Sequence, residues 1–139
     1  MSVMAVEYPG YGIYRGKDCS ANKIKEDAIT VFKYIMNSFK IKEKNVLVFG
    51  RSIGTGPACF LAESYQNIKA LILQSPYTDI SVVAEDNIGI KSNLLQVVMA
   101  SHFQNIKTIK KIEAPILFIH GKKDLSIPFE HSEILYKKT

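Results

Sequence analysis

Apolar positions along this chain follow two different rhythms. Ile24, Ala28, Val31, Phe32, Ile35, Met36 and Phe39 recur at i, i+4, i+7, i+8, i+11, i+12 and i+15, a single stripe on a 3.6-residue helix. Ser20 stands just ahead of that stripe, where a hydroxyl can accept one of the first free helix amides. Elsewhere the apolar residues form short unbroken runs at 3–6, 46–49, 70–73 and 115–119, each closed by glycine, proline or polar residues, and read as strands at 3–6, 45–49, 70–73 and 115–120. Runs without polar alternation belong to strands buried on both faces, as in parallel sheets flanked by helices. Helical stretches at 52–65 and from Pro128 onward are interleaved with these runs. The order predicts an α/β fold with a doubly wound, mostly parallel sheet. Residues 78–101 carry no clean period, and 94–100 is the best helix candidate within them.

Size and composition narrow the class. The 139 residues make one domain, 1–139, short for an α/β enzyme and therefore read as truncated. With 47% hydrophobic and 22% charged residues the chain is globular. It contains no apolar run near the ~18 residues that a bilayer span requires, and its start does not read as a secretion signal. Cys19 and Cys59 have no metal-like spacing, which favours free thiols in a reducing, cytoplasmic compartment. No cofactor or metal is expected. The net charge of +5 is carried by lysine, since Arg15 and Arg51 are the two arginines, and the densest cluster is Lys107, Lys110 and Lys111. Nucleic-acid readers usually interleave arginine with aromatics, so no nucleic-acid partner is expected. A solvated basic surface is the first reading, and peripheral association with an anionic membrane the second.

The chemistry concentrates at Gly50-Arg51-Ser52-Ile53-Gly54, which follows the apolar run and opens a helical stretch. A Gly-x-Ser-x-Gly pentapeptide at a strand-to-helix junction is a nucleophile elbow. The serine needs a tight turn that lifts its hydroxyl clear of the sheet, and the flanking positions must be nearly side-chainless so that strand and helix can approach. Free amides at the helix start then face any oxyanion formed there. An ordinary glycine-rich turn with a surface serine is the plain alternative. Sites in parallel sheets lie beyond the carboxyl ends of the strands. Residues 8–12, Ser52, residues 75–79 and Asp124 all fall at such ends.

Four blocks together resemble one branch of the α/β-hydrolases, that of the protein depalmitoylases of the α/β-hydrolase-domain class and their serine-aminopeptidase-like relatives. They are Glu7-Tyr8-Pro9-Gly10-Tyr11-Gly12, Phe49-Gly50-Arg51-Ser52-Ile53-Gly54-Thr55-Gly56, Leu73-Gln74-Ser75-Pro76-Tyr77-Thr78, and residues 116–124 with a His-Gly-x-x-Asp core. The resemblance implies Ser52 as nucleophile, Asp124 as the triad acid, the Ile53 amide as an oxyanion donor, and His120 as a strand-end residue. Asp79 is the fallback acid, because some hydrolases place theirs after the equivalent strand; a turn-capping role is its plain alternative. The implied reaction is hydrolysis of an ester or thioester through an acyl-serine, with an acyl ester or lipidated protein as substrate. One departure is Tyr14, where the family's glycine turn normally carries a small serine.

Larger departures concern what completes the machine. The triad runs Ser, acid, His along the chain, and the histidine after Asp124 is His131, seven positions on. A crossover needs about 10–12 residues, so His131 is a poor base and a histidine after Thr139 is expected instead. The run at 3–6 corresponds by resemblance to the fourth strand of a full sheet. The third strand, which would sit between it and the elbow strand and carry a second oxyanion amide, has no counterpart here. The expected fold is thus a partial one lacking the first three strands and the last.

Two alternatives stay open at this level. Gly50, Gly54 and Gly56 also match a nicotinamide-binding glycine pattern, with Tyr65 and Lys69 as a Tyr-x-x-x-Lys pair. The acidic residue expected about 20 positions on, for the ribose hydroxyls, is replaced by Gln74 and Ser75. The other alternative is a non-catalytic hydrolase-like scaffold or fragment.

Overall fold

A computed structural model describes residues 2–15, 19–80 and 103–139. Helix α1 (Ala21–Ser38) begins where Ser20, in an extended conformation, accepts the Lys23 amide on its side chain at 3.1 Å. Its stripe faces inward: Ala21, Ile24, Ala28 and Phe32 are buried. Phe39 instead caps the helix outside the core, because Lys40 turns the chain through a left-handed conformation at φ 53°. Strands β1 (Leu47–Arg51), β2 (Ala70–Gln74) and β3 (Ile116–Ile119) form a parallel sheet in the order β1-β2-β3. Its register sets Gly50 beside Leu73 and Leu73 beside Phe118. Each crossover carries helix: α2 (Thr55–Ser64) links β1 to β2, while the short α3 (Asn105–Thr108) lies on the way to β3. Helix α4 (Glu130–Tyr136) closes the described chain.

The edges of the elements shift by a few residues from the sequence expectation, for local reasons. Residues Glu43–Asn45 take a 3-10 turn, with the Asn45 amide on the Lys42 carbonyl, so β1 starts at Leu47. Pro115 has no amide to give, but its carbonyl accepts from Leu71 at 2.9 Å and leads the chain into β3. Helix α4 starts two residues after Pro128, whose carbonyl accepts the His131 amide. The helix candidate at 94–100 lies outside the described residues.

The expected strand at 3–6 is not a strand. The segment has no regular structure, and Val3, Met4 and Val6 are exposed. A ladder strand needs a partner, and β1 is an edge of the described sheet with no neighbour on its outer side. Among the described residues there are therefore three strands where the sequence suggested four.

One face of the sheet is covered. Val48, Leu71 and Leu73 are buried there against Phe32 of α1, Ala62 of α2 and Leu135 of α4. On the opposite face Leu47, Phe49, Leu117 and Ile119 remain 43–57% exposed. The continuous apolar runs were written for burial on both sides, and the described elements supply one. A second cluster of Ala21, Ile24, Tyr77, Phe103 and Ile127 packs near the carboxyl ends of the strands, with Tyr8 and Ile53 against it. Cys59, fully buried in the main core, has its thiol pushed up to about 12 by burial.

Candidate active site

Three chain reversals at the carboxyl ends of adjacent strands make the site. Ser52 follows β1 directly and opens the 3-10 turn Ser52–Gly54 that runs into α2. It sits at φ 51°, a left-handed conformation that a non-glycine residue holds only under constraint. The two glycines of the pentapeptide explain how strand and helix come so close. A Cβ on Gly50 would stand 2.6 Å from the Gly54 carbonyl oxygen, 2.7 Å from Ala58 Cβ and 2.8 Å from Thr55 Cα. On Gly54 it would meet the Tyr8 hydroxyl at 3.2 Å. Gly56 is needed for packing: a Cβ there would run into the Tyr77 hydroxyl and Phe103. Its place in a nicotinamide-like spacing thus has a steric explanation.

The Ile53 amide lies within the first turn of the helical segment, where amides have no intrahelical acceptor. The Ile53 carbonyl accepts a long bond, 3.5 Å, from the Tyr77 hydroxyl. Tyr77 is buried, and burial holds its phenol well above the ordinary range. Tyr8 is half-buried beside the elbow, and burial raises its phenol as well.

Asp124 leaves β3 by a turn in which its Oδ1 accepts the amides of Ser126 at 2.9 Å and Ile127 at 3.1 Å. Its Oδ2 accepts the hydroxyl of Ser75 at 2.8 Å. Ser75 follows β2, sits at φ 47°, and donates its amide to the Ile119 carbonyl. The Ile127 amide, then Ser75, then Ser126 hold the Asp124 carboxyl below the usual carboxylate range, with desolvation opposing them. A carboxylate clamped in this way stays ionised and fixed in direction, which is what a triad acid requires.

The histidines near this turn are committed elsewhere. His120, whose side chain is 1% exposed, has Nε2 on the Ile127 carbonyl at 2.8 Å and Nδ1 on Ser132 Oγ at 2.6 Å. A carbonyl only accepts, so Nε2, which also stands 3.7 Å from Asp124 Oδ2, carries a proton, and in the neutral ring Nδ1 accepts the serine hydroxyl. His131 is buried on α4, and its Nδ1 accepts the Thr78 amide at 3.2 Å and lies 2.9 Å from the Thr78 hydroxyl. A ring nitrogen that accepts a backbone amide cannot also donate to a carboxylate, so Asp124 cannot orient His131 through Nδ1 in the triad manner. His102 lies outside the described residues. Asp79 is half-buried in the loop after β2, close enough to Tyr77 for its charge to help raise that phenol. Arg51 is exposed at the end of β1.

Sequence reasoning missed Asn105. It is buried, and its side-chain amide donates to Thr55 Oγ1 at 3.2 Å and to the Tyr77 carbonyl at 2.9 Å. A signal was present: Asn105 stands four residues before Ile109, on the same helical face as that buried residue. A polar residue in a buried phase is the informative kind.

Comparison with known proteins follows the same lines. Residues 15–139 match the profile of the Prolyl oligopeptidase family. Human Alpha/beta hydrolase domain-containing protein 17B is 32% identical over 137 residues, which cover 99% of this chain and 45% of that protein. Mouse Alpha/beta hydrolase domain-containing protein 17C is 28% identical over 138 residues, 99% of this chain and 40% of the relative. The chain thus spans less than half the length of these curated relatives. Among solved structures, Pyrococcus horikoshii acylaminoacyl peptidase shares the fold with a TM-score of 0.63 at 15% identity, covering 83% of this chain and 20% of that one. The elbow, the parallel strands and these matches agree: the chain belongs to the prolyl oligopeptidase family, within the α/β-hydrolase superfamily.

Proposed function

We propose that this chain is a domain, 1–139, carrying the nucleophile and the acid of a serine hydrolase that cleaves an ester or thioester through an acyl-serine intermediate. The observation that carries the reading is Ser52 at φ 51° directly after β1, two strands from a carboxylate clamped by three donors. Ser52 Oγ attacks the acyl carbonyl and passes its proton to a histidine contributed from outside these 139 residues, oriented by Asp124. The Ile53 amide faces the developing oxyanion. The histidine returns the proton to the leaving alcohol or thiol, and water then releases the acyl group from Ser52. A lipid-modified protein is the substrate class that the family resemblance implies.

A fluorophosphonate probe tests the reading on the protein carrying the complete hydrolase domain. Covalent modification at Ser52, abolished in Ser52→Ala, is expected. Modification elsewhere, or none, rejects it. The engagement of His120 and His131 favours a second reading for the 139 residues taken alone, that of a hydrolase-like scaffold without turnover. Labelling of the isolated chain at the rate of the complete protein would exclude that second reading.

A further inference from the structure

Beneath the elbow lies a buried polar relay that the proposed chemistry does not itself use. Asn105 donates from Nδ2 to Thr55 Oγ1 at 3.2 Å, and Thr55 Oγ1 donates its proton to the Ser52 carbonyl at 2.7 Å. The second hydrogen of the same Asn105 amide is held by the Tyr77 carbonyl at 2.9 Å. Thr55 and Asn105 are 0% and 1% exposed, so the two Asn105 bonds are shielded from water, while the Thr55 bond reaches the part-buried Ser52 carbonyl. The relay ties α3 and the loop after β2 to one atom, the carbonyl oxygen of the residue in the left-handed conformation.

That atom has a particular partner. The Ser52 carbonyl and the Ile53 amide belong to one peptide unit, which is planar and rigid, with C=O and N–H pointing to opposite sides. Holding the oxygen toward Thr55 therefore aims the Ile53 amide away from the helix, and it fixes ψ of Ser52 at the same time. A left-handed serine persists only where its surroundings over-determine it. Local glycines permit the turn and the Thr55 backbone amide also donates to the Ser52 carbonyl, so the Thr55 hydroxyl is the second donor on this oxygen and the one that links it to the rest of the core.

We infer that Thr55 and Asn105 are positioning residues for the reaction: together they lock the Ser52–Ile53 peptide plane and so aim the oxyanion-binding amide. The inference rests on the serine-hydrolase reading above. The alternative is a threonine that merely satisfies itself on its own helix turn, with Asn105 filling a buried polar vacancy in the core.

A pair of substitutions that separates the hydroxyl from packing decides between them. Thr55→Val keeps the buried volume and removes the donor, whereas Thr55→Ser keeps the donor and removes a methyl group. Both are compared with the natural protein, in the complete hydrolase domain, for the rate of fluorophosphonate attack at Ser52 and for the thermal midpoint. The expected result is attack slowed by about 10²-fold in Thr55→Val, the scale of a small misplacement. Thr55→Ser keeps the natural rate while its thermal midpoint falls. A Thr55→Val protein that reacts at the natural rate, or a Thr55→Ser protein as slow as Thr55→Val, overturns the inference and leaves the serine-hydrolase reading standing. A natural protein that is not labelled at Ser52 overturns both.

Discussion

The hydroxyl of Ser75 donates to Asp124 Oδ2 at 2.8 Å and ties the carboxyl ends of two neighbouring strands together through their side chains. Ser75 accepts a left-handed backbone to do so. Removing the hydroxyl in Ser75→Ala takes away one of three direct donors, so the Asp124 carboxyl is expected to titrate higher. Because its folded value lies below the unfolded one, the stability that the ionised carboxylate contributes is present above the ordinary aspartate range. That stability is lost as pH falls through the lowered folded value. Ser75→Ala should narrow that acidic window and cost about 1 kcal/mol near neutrality. Carboxyl carbon NMR against pH, with denaturant unfolding at pH 7 and pH 4, checks both; an unmoved Asp124 titration contradicts the assignment.

Strain at the elbow has its own signature. Ser52→Gly relieves the left-handed conformation, whereas Ser52→Ala keeps it, so the glycine variant is expected to be more stable by about 1 kcal/mol. In a right-handed helix the order would reverse. Urea unfolding of the two variants reads the difference directly.

Gly50 admits no side chain. In Gly50→Ala the new methyl would meet two backbone atoms and Ala58 at 2.6–2.8 Å, and backbone cannot swing aside. A loss of about 1–3 kcal/mol is expected. The clash also displaces the Ser52 turn, so probe labelling should fall more than stability alone explains. Labelling at the natural rate would show that the elbow tolerates a wider crossing.

Asp124→Asn separates the acid from the fold. The substitution retains an oxygen for the Ser126 and Ile127 amides but loses the charge that orients an imidazolium. If Asp124 is the triad acid, turnover of the complete protein falls by about 10⁴-fold, the scale seen when a triad carboxylate becomes an amide. Steady-state hydrolysis of a 4-nitrophenyl ester measures it, and undiminished turnover removes Asp124 from the mechanism.

The two faces of the sheet should respond differently to substitution. Leu71→Ala opens a cavity in the covered core and is expected to cost about 2–5 kcal/mol. Phe49→Ser and Leu117→Ser, on the exposed face, should each change stability by less than about 0.5 kcal/mol. Chemical unfolding gives the ranking, and equal losses on both faces would mean that the outer face is covered in solution.

Much of this arrangement was legible in the residues. Unbroken apolar runs marked the three strands, the stripe from Ile24 to Phe32 marked the helix face, and the glycine spacing located the turn at Ser52. The failures have physical causes. The run at 3–6 has the composition of a strand, yet strand formation is decided by a neighbour, and among the described residues none stands on the outer side of β1. Asn105 carries no motif, because its partners, Thr55 and the Tyr77 carbonyl, are distant in sequence and meet it by tertiary packing. The Ser75 contact is likewise a matter of register: Gln74 pairs with Ile119, which brings the two exit loops side by side. His131 follows the acid in chain order but is turned toward Thr78, a direction that no spacing rule encodes.

Cys59 lies in the helix that Ser52 leads into, at 0% exposure and with its thiol pushed up to about 12. Soft electrophiles react with thiolates, and this sulfur holds its proton across the whole physiological range. Alkylating reagents such as iodoacetamide will therefore bypass Cys59 while the fold is intact and modify it once the core opens. Its accessibility is a built-in reporter of unfolding.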